Sequence, residues 1–417
     1  MAPVIIAGGG IGGLVLALML HRRGIACQVR EAAPAVRPLG VGINILPHAV
    51  AELAELDLLD ALDTISIRTR TLTYMTQRGQ TIWHEPRGCY AGHAVPQISA
   101  HRGRLQSLLW QTAQARLGLG AVRADARVIG ATQDAASVTV TVRTADGETS
   151  EMTGHALIGA DGIHSMLRAA LLGDDSPMRW NGIQMWRGAV DWPAFGSRDE
   201  MIIAGDATAK LVFYPIAPGS TSDRRLTNWV VYARIADAST MPPGRESWSA
   251  RGAFAEFARL IEGFALPMVD IPALASATAE IFRYPMCDRD PLPVWTQGRI
   301  TLLGDAAHSM YPVGSNGASQ AILDARCLAD CLTEGDVPAA LAQYEAERQP
   351  VTTAIVHSNR VGGPERVIDL IAARAPAGFD RLETVATADE LAAIVRGYAS
   401  LAGFAAPSGA IAIQARS

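Results

Sequence analysis

Three short apolar runs, each ended by a turn that contains glycine, stand out along the chain. They cover residues 4–7, 156–158 and 300–303. Continuous apolar runs of this length, bounded by turns, are typical of buried parallel strands. Apolar positions with helical spacing follow the first run from residue 14 and the third run from residue 317. This alternation predicts an α/β fold in which widely separated segments share one sheet.

The pattern changes between about residues 180 and 284. Strand-like runs there alternate apolar and polar positions, which is typical of antiparallel sheets with one buried face. Residues 67–75 and 80–83 flank a turn at residues 77–79 and predict a hairpin of the same kind. We therefore expect a β domain inserted into the α/β domain, with helices following towards the C-terminus.

The first turn carries the pattern Gly8-x-Gly10-x-x-Gly13. It follows a predicted strand and opens a predicted helix, and Glu31 stands about twenty residues further on, at the end of the next strand. With this spacing, glycines let the pyrophosphate of a dinucleotide approach the backbone, and the acidic residue binds a ribose hydroxyl. A glycine-rich turn with a purely structural use is the alternative, and the strand–turn–helix context favours dinucleotide binding.

Two later turns have the composition of ligand-binding loops. Gly304 and Asp305 end the third apolar run, where open α/β sheets bind their ligands. Residues 314–317 precede a predicted helix, whose free N–H groups favour negative charge. Asp305 could instead only cap a helix. The glycine-rich residues 37–44 could hold the backbone close to a bulky bound group, or they could be a plain loop. Glycine–acid turns occur in three separate segments, at residues 8–31, 159–162 and 304–305. A mononucleotide would need only one such turn, so we expect one long cofactor.

The composition supports an enzyme and excludes several classes of partner. The chain is 49% hydrophobic and 18% charged, as globular α/β enzymes are, and its net charge of -5 leaves no basic face for nucleic acid or an acidic membrane. Five scattered cysteines without a CxxC pair indicate neither a disulfide framework nor a metal site, and Cys327 and Cys331 are interpreted as buried side chains. No signal-peptide pattern precedes the first apolar run, so we predict a cytoplasmic protein.

The order of these motifs resembles the class A flavoprotein aromatic hydroxylases, the para-hydroxybenzoate hydroxylase type. The likeness extends over nearly the whole chain. Residues 8–13 with Glu31 are similar to the family's FAD adenosine motif, residues 159–168 to its Asp-Gly motif, and residues 304–308, followed by Pro312, to its Gly-Asp motif. Within the family, the segments around these motifs are similar to the phenazine-carboxylate monooxygenases.

The resemblance implies FAD as the cofactor, held by residues from all three motifs. One departure matters, because the family's usual Gly-x-Gly-x-Asn is here Gly314-Ser315-Asn316-Gly317, which leaves open the amide that faces flavin N1. Spacing alone would make Arg102 a surface arginine, whereas the resemblance implies that it reaches FAD. The implied cofactor-binding set is Gly8, Gly10, Ile11, Gly12, Gly13, Glu31, Val41, Gly42, Arg102, Val128, Asp161, Gly304, Asp305, Gly314, Asn316, Gly317 and Ala318.

The resemblance also implies a domain division and a fold. We expect a three-layer FAD-binding domain interrupted by an antiparallel β-sheet substrate domain, with C-terminal helices. The predicted FAD-binding domain comprises residues 1–70, 99–180 and 285–340, the β-sheet substrate domain residues 71–98 and 181–284, and the C-terminal helices and tail residues 341–417.

The activity implied is hydroxylation of an electron-rich aromatic or heteroaromatic acid, such as a phenazine-like one. NADH or NADPH would be the electron donor, O2 the co-substrate and a flavin C4a-hydroperoxide the oxygen carrier. Pro312 is expected to keep water from the flavin, and His308 to be structural rather than a base. Candidate catalytic residues are Pro312, Tyr214 and Arg187. Candidate substrate contacts are Trp186, Tyr214 and Trp229, although the aromatic residues could simply fill the core.

Other functions stay open at this stage. The same fold could serve a hydroxylase of simple hydroxybenzoates, a flavin oxidase or dehydrogenase that inserts no oxygen, or a flavoprotein that only sequesters its ligand. We expect a small aromatic substrate as the partner, no nucleic acid, no membrane and no metal, and a monomer or a homodimer.

Overall fold

The computed structural model describes residues 2–36, 40–173, 177–237, 250–333 and 335–407. The start of the predicted glycine-rich loop, residues 37–39, and the end of the predicted tail, residues 408–417, lie outside the described residues. Within the described residues, no helix is long and apolar enough to cross a membrane.

The strands alternate with helices at both ends of the chain and follow one another directly in the middle. In chain order they are β1 (Val4–Ala7), β2 (Cys27–Arg30), β3 (Gly42–Ile45), β4 (Ser66–Thr69), β5 (Thr71–Thr76), β6 (Thr81–Pro86), β7 (Gln97–His101), β8 (Val122–Arg123), β9 (Arg127–Gln133), β10 (Val138–Arg143), β11 (Thr149–Gly154), β12 (Ala156–Gly159), β13 (Arg179–Pro193), β14 (Glu200–Gly205), β15 (Ala209–Pro218), β16 (Arg224–Arg234), β17 (Phe282–Asp288), β18 (Thr296–Gln297) and β19 (Ile300–Leu302).

The helices fall mainly in the first and last thirds of the chain. They are α1 (Ile11–Arg22), α2 (Pro47–Glu55), α3 (Leu59–Ile65), α4 (Arg102–Leu117), α5 (Met166–Leu172), α6 (Ala258–Ile261), α7 (Ile271–Ser276), α8 (Asp305–His308), α9 (Gly317–Cys331), α10 (Val337–Arg360), α11 (Arg366–Arg374) and α12 (Ala388–Leu401).

The three apolar runs come together in one six-stranded sheet. Its order is β18-β19-β12-β1-β2-β8, and all neighbours are parallel except β18 and β19. The register places Val4 beside Ala156, and Leu157 beside Ile300. β1, β12 and β19 are buried along their whole length, and α1, α9 and the strand β10 contribute buried side chains to the same core. The carboxyl ends of these strands therefore meet at one edge, as the sequence predicted.

A second sheet of seven strands forms from the middle of the chain and the predicted hairpin. Its order is β17-β13-β16-β15-β14-β5-β6. Five of its six pairings are antiparallel and one, between β14 and β5, is parallel, so the sheet is mixed rather than purely antiparallel. Strand β5 comes from before the insertion, so the sheet joins two distant segments of the chain.

The C-terminal helices pack onto one face of this second sheet. Buried side chains of α11 and α12 form a shared core with β5, β14 and β15. The opposite face packs against the segment from α6 to α7. The predicted α/β fold with an inserted sheet and C-terminal helices is confirmed, whereas the domain boundaries stay a prediction, and β17 runs across the one placed at residue 284.

The predicted element ends are displaced where backbone conformation intervenes. Helix α2 stops at Glu55, because Asp57 adopts a positive φ of 59° and turns the chain into α3. The first predicted helix begins earlier than its apolar spacing indicated, at Ile11, so it includes Gly12 and Gly13.

Candidate active site

A cavity lies between the carboxyl edge of the parallel sheet and the inserted sheet, with part of its wall from the C-terminal region. Its volume is about 330 Å³. Sixteen of the residues predicted as site residues line it: Gly10, Ile11, Gly12, Gly13, Val41, Gly42, Arg102, Arg187, Tyr214, Gly304, Asp305, Pro312, Gly314, Asn316, Gly317 and Ala318. Residues spread over more than 300 positions of sequence are thus brought to one surface.

The glycines of the first turn have two different uses. Gly8 has a φ of 117°, and a Cβ there would lie 2.2 Å from the Ala160 carbonyl oxygen. A Cβ on Gly13 would lie 2.3 Å from the Gly8 carbonyl oxygen, so these two glycines allow strand and helix to pack. A Cβ on Gly10 would meet nothing within 4 Å and would project where α1 begins, beside the cavity. The open space at Gly10 fits a bound pyrophosphate group.

Four predicted cofactor residues are not part of the cavity wall: Gly8, Glu31, Val128 and Asp161. The Glu31 carboxylate accepts hydrogen bonds from the N–H groups of Gly9, at 2.6 Å, and Ala33, at 2.7 Å. Val128 packs in the core of the parallel-sheet domain. The contacts of Glu31 and Val128 with FAD therefore stay predictions. Packing in the core is a sufficient structural explanation for Val128.

Asp161 caps a helix. Its Oδ2 accepts hydrogen bonds from the N–H groups of Met166, at 2.9 Å, and Leu167, at 3.3 Å. Its other oxygen is buried and has no hydrogen-bond partner among the described residues. Burial raises the pKa of this carboxyl group. Because Oδ1 of Asp161 is buried without such a partner, it is a second feature that a bound polar group would satisfy.

Asp305 and Arg102 place opposite charges at the cavity. Asp305 follows Gly304, which has a φ of 63°, and begins α8 with its side chain exposed at the cavity wall. Desolvation by the surrounding protein raises the pKa of its carboxyl group. The nearby His308 and Arg102 partly oppose this rise. Burial lowers the pKa of Arg102, against the attraction of Asp305 and Tyr284. The pair can therefore bind a ligand that has both hydroxyl and phosphate groups.

A buried ionic network lies beneath this turn. Asp324 on α9 accepts hydrogen bonds from the Gly304 N–H, at 3.1 Å, and Arg348 Nε, at 2.8 Å, and its Oδ2 lies 2.5 Å from His308 Nε2. The ring of His308 also packs on Trp295, with 5.4 Å between centroids. His308 is thus tied to a buried carboxylate rather than directed into the cavity, in agreement with its structural interpretation.

The loop between Pro312 and α9 is held in an unusual conformation. Gly314 and Ser315 both have positive φ values, 68° and 59°. Asn316 is fully buried, and its Nδ2 donates to the Tyr398 hydroxyl at 2.9 Å. The first N–H groups of the fifteen-residue helix α9 follow directly at the cavity. This arrangement presents a positive helix terminus to the cavity, as the sequence predicted.

Tyr398 is a residue that the sequence did not single out. It lies on α12, and its hydroxyl is 2.8 Å from Asn359 Oδ1 and 3.2 Å from the Val313 carbonyl oxygen. A Cβ on Gly314 would lie 2.4 Å from the Tyr398 ring. The requirement for glycine at position 314 therefore comes from a helix more than 80 residues away, which no local pattern reveals.

We expect the Tyr398→Phe variant to lose stability and to retain FAD less well. The change leaves the buried amide of Asn316 and the oxygen of Asn359 without their partner, which costs about 1–3 kcal/mol. Urea unfolding of the FAD-free protein measures the loss of stability. The flavin content that remains after gel filtration measures the retention of FAD. Tyr90→Phe, at an exposed tyrosine, is the matched control. Unchanged stability in both variants would contradict this role of Tyr398.

Arg187 and Tyr214 lie on the cavity face of the second sheet. Burial and the nearby Arg102 lower the pKa of Arg187 to about 9, so its side chain is still cationic at neutral pH. Its guanidinium carbon is 5.6 Å from the centre of the Tyr284 ring. Burial raises the pKa of Tyr214, which argues against its role as a base at neutral pH. Arg187 therefore suits an acidic ligand, and Tyr214 is better suited to donate a hydrogen bond.

Trp186 and Trp229 require a correction, because they lie on the opposite face of the sheet. Both pack around Phe257 in the core behind the sheet, with ring centroids 5.5 Å away. Their indole N–H groups donate to Glu256, at 2.9 Å, and Thr278, at 2.8 Å. Successive residues of a strand point to opposite faces, so Trp186 and Arg187 cannot both face the cavity. The prediction that these tryptophans contact substrate is wrong for this structure.

The sequence also missed Tyr232 and Glu365, which both line the cavity. Tyr232 lies on β16, two positions from a valine that also faces the cavity. Glu365 follows Gly362, Gly363 and Pro364 in a short turn between α10 and α11. The run Gly-Gly-Pro-Glu between two helices is the one signal in the sequence that could have drawn attention to this acid.

One cluster among the described residues has the composition of a metal site. Cys327, Cys331 and Glu347 bring three possible ligand atoms within 4.8 Å of one another on the outer surface of α9 and α10. Burial and the neighbouring Glu347 raise the pKa of Cys327, which favours the thiol over the metal-binding thiolate. The two cysteines share a face, as expected, but Cys327 is only half-buried.

Comparisons with known proteins agree with this geometry. Residues 1–359 match the family model described as FAD binding domain. The chain is 44% identical over 363 residues to phenazine 1,6-dicarboxylic acid hydroxylase of Lysobacter antibioticus, covering 86% of this chain and 89% of that protein. It is 30% identical over 369 residues to 6-hydroxynicotinate 3-monooxygenase of Pseudomonas fluorescens, covering 85% and 90%.

Solved structures show the same fold. Klebsiella pneumoniae HpxO complexed with FAD and uric acid is 25% identical and has a TM-score of 0.71, with 97% of this chain and 93% of that chain covered. The match spans the parallel sheet, the inserted sheet and the C-terminal helices together. The chain therefore belongs to the FAD binding domain family, as a class A flavoprotein aromatic monooxygenase.

Proposed function

We propose that this protein uses NADH or NADPH and O2 to hydroxylate a flat aromatic or heteroaromatic acid, with phenazine carboxylic acids as the first class to test. The observation that carries the proposal is the cavity itself. It joins the glycine turn and Asp305 on one side to a wall of apolar side chains around Arg187 on the other. A cofactor site and a site for an acidic aromatic molecule are thus continuous.

The chain's own residues support FAD as the bound group. Gly10 leaves room for the pyrophosphate, Asp305 can accept hydrogen bonds from ribityl hydroxyls, and the first N–H groups of α9 can stabilise negative charge on the flavin. Pro312 and Val313 give an apolar wall that limits the access of water. Bound FAD would supply electron transfer and oxygen activation, including the C4a-hydroperoxide route expected from the sequence.

The wall formed by the inserted sheet supports an acidic, flat substrate. Met185, Val212, Val230 and Met286 offer apolar contacts, and Arg187 stands among them with its charge. The identities to phenazine 1,6-dicarboxylic acid hydroxylase, 44%, and 6-hydroxynicotinate 3-monooxygenase, 30%, support aromatic acids with fused or single rings. Cytoplasmic location and a monomeric or homodimeric state stay predictions.

The FAD-loaded protein tests this function directly. Purified protein is mixed with NADH or NADPH and oxygen in the presence of phenazine-1,6-dicarboxylic acid, 6-hydroxynicotinate or 3-hydroxybenzoate, and products are identified by mass spectrometry. We expect a product with one added oxygen atom from at least one of these acids. Reoxidation that yields hydrogen peroxide alone with every acid would support the oxidase alternative instead, and failure to retain FAD would overturn both.

We expect the Arg187→Met variant to bind acidic substrates more weakly without losing FAD. Loss of a charge-assisted hydrogen bond costs about 1.5–3 kcal/mol, so KM should rise about 10- to 100-fold. Steady-state kinetics with the acid that the wild type hydroxylates gives the result. Arg283→Met is the control, because Arg283 is exposed on the neighbouring strand β17. Equal KM values for the wild type and Arg187→Met would exclude Arg187 as the carboxylate contact.

A further inference from the structure

A buried carboxyl group faces the cavity from a segment that carries none of the family motifs. Glu365 is only 4% exposed and lines the cavity wall. Tyr232 on β16 lines the same part of the wall, and its hydroxyl group donates a hydrogen bond to Glu365 Oε2. A buried carboxyl group at a substrate cavity is costly, and such groups are found where a fold uses their chemistry.

The turn that carries Glu365 is fixed against the loop after Pro312. Gly362 and Gly363 have positive φ values of 97° and 49°. A Cβ on Gly363 would lie 3.0 Å from Val313 Cγ1 and 3.3 Å from the Tyr398 ring. The two glycines therefore let the turn approach closely enough for Glu365 to reach the cavity.

Arg187 and the Tyr232–Glu365 pair stand on the same wall at different points. Arg187 is paired with Val230, and Tyr232 lies two residues further along β16 on the same face. Diagonal neighbours of this kind are about 7–8 Å apart. A cation and a carboxyl group thus flank the apolar surface, which complements an aromatic acid that also has a proton donor at another edge.

An ion pair lies beside this position. Lys210 on β15 is paired with Tyr232, and its Nζ lies 2.7 Å from Asp369 Oδ1. The Asp369 side chain is 35% exposed, and Asp369 lies one helical turn after Glu365. Lys210 therefore places a positive charge near the Tyr232–Glu365 pair.

On the basis of the proposed function, we propose that Glu365 is a catalytic residue, the base that removes the proton of a ring O–H or N–H group of the aromatic acid. In this step the O–H or N–H bond breaks and its electron pair stays on the substrate, which makes the ring richer in electrons. The Glu365 carboxylate becomes a neutral carboxylic acid. Tyr232 is a positioning residue that orients the carboxylate, and the proton is held by Glu365.

The charges around Glu365 suit a base. Burial raises the pKa of Glu365, which Lys210 and Tyr232 oppose and Asp369 reinforces. Tyr74 on β5 and Tyr398 on α12 also face it, and burial raises the pKa of both hydroxyl groups, so they stay protonated. The same holds for Tyr232. A carboxylate with a raised pKa holds a proton better, which makes it a more effective general base near neutral pH.

The Glu365→Gln variant of the FAD-loaded protein tests the assignment. The probes 6-hydroxynicotinate and 3-hydroxybenzoate each have a carboxylate and a ring donor, whereas phenazine-1,6-dicarboxylic acid has carboxylates but no ring O–H or N–H group. With a donor-bearing probe we expect kcat near pH 6 to fall about 100-fold. The rate should recover as the pH approaches the pKa of the probe, because the probe then ionises unaided.

A second variant and a control separate catalysis from structure. Tyr232→Phe removes a donor that stabilises the Glu365 carboxylate, so the acidic limb of the pH–rate profile should move to higher pH by about one unit. This shift would appear even if Glu365→Gln failed to fold, and a purely structural contact would not cause it. Glu390→Gln, at an exposed acid paired with Arg374, should change neither FAD content nor the profile.

Each outcome decides between the proposals. An unchanged pH profile in both variants, or a wild type that hydroxylates only phenazine-1,6-dicarboxylic acid, would overturn the role of Glu365 and leave the proposed function intact. A wild type that binds FAD but hydroxylates none of the three probes would overturn the proposed function itself.

Discussion

Replacement of Gly10 by valine should abolish FAD retention and leave the fold intact. Gly10 has φ and ψ of -74° and 177°, which any residue adopts, and a Cβ there meets no protein atom within 4 Å. The added side chain would instead enter the space at the start of α1 that fits the pyrophosphate. We expect the dissociation constant for FAD to rise at least about 100-fold, or ~2.7 kcal/mol.

The experiment compares flavin fluorescence titrations and thermal unfolding of the protein freed of FAD. Gly120→Val is the matched control, because Gly120 is exposed and a Cβ there also meets nothing within 4 Å. Gly13→Val would be uninformative, since its Cβ would lie 2.3 Å from a backbone oxygen and disturb the fold. Normal FAD binding by Gly10→Val would show that the pyrophosphate does not lie at this turn.

Replacement of Asp324 by alanine should have the largest effect on stability. Asp324 is fully buried. Its Oδ1 accepts a hydrogen bond from Arg348, and its Oδ2 accepts one from the Gly304 N–H and lies 2.5 Å from His308 Nε2. Removal of the carboxylate leaves a largely buried guanidinium group without its counter-ion, which costs about 3–5 kcal/mol. Urea unfolding of the wild type and the variant gives the difference.

Asp330 provides the comparison on the same helix. It also pairs with arginines, Arg23 and Arg326, but its side chain is 50% exposed. Asp330→Ala should therefore cost no more than about 1 kcal/mol. Similar losses of unfolding free energy in the two variants would show that burial does not increase the contribution of Asp324 to stability.

The contribution of Asp324 should also depend on pH. Burial alone would raise the pKa of this carboxyl group, but His308 and Arg348 outweigh burial and lower it from 3.8 to about 2. Because the pKa is lower in the folded state, the contribution is complete above about pH 4 and is lost as the pH falls towards about 2. The difference in unfolding free energy between wild type and Asp324→Ala should shrink over that interval.

Local rules predicted several of the residues that line the cofactor side of the cavity. The spacing of Gly8, Gly10 and Gly13 after an apolar strand is a requirement of backbone geometry, so it is legible in the sequence itself. Gly304 and Asp305 are similarly legible, because a glycine–acid turn at the end of a buried strand faces the ligand edge of the sheet. The structure brings all of these except Gly8 to the cavity wall.

Local rules were partly sufficient for the substrate side. Strand alternation shows that Trp186 and Arg187 point to opposite faces, and it could have excluded one of them. It cannot show which face is covered by α6 and α7 and which by the cavity. That choice depends on where the segment around Phe257 packs, and this packing buries Trp186 and Trp229 behind the sheet.

The sequence by itself determined that this chain builds a parallel sheet from three segments, binds a dinucleotide at its edge and belongs among the flavoprotein hydroxylases. Those features rest on short-range rules of period, glycine geometry and motif order. Only the tertiary structure decided that Tyr398 holds the loop at Gly314 and that Glu365 meets Tyr232 at the cavity. These contacts join residues 82 or more positions apart, and burial and hydrogen bonding across such distances leave no periodic trace in the sequence.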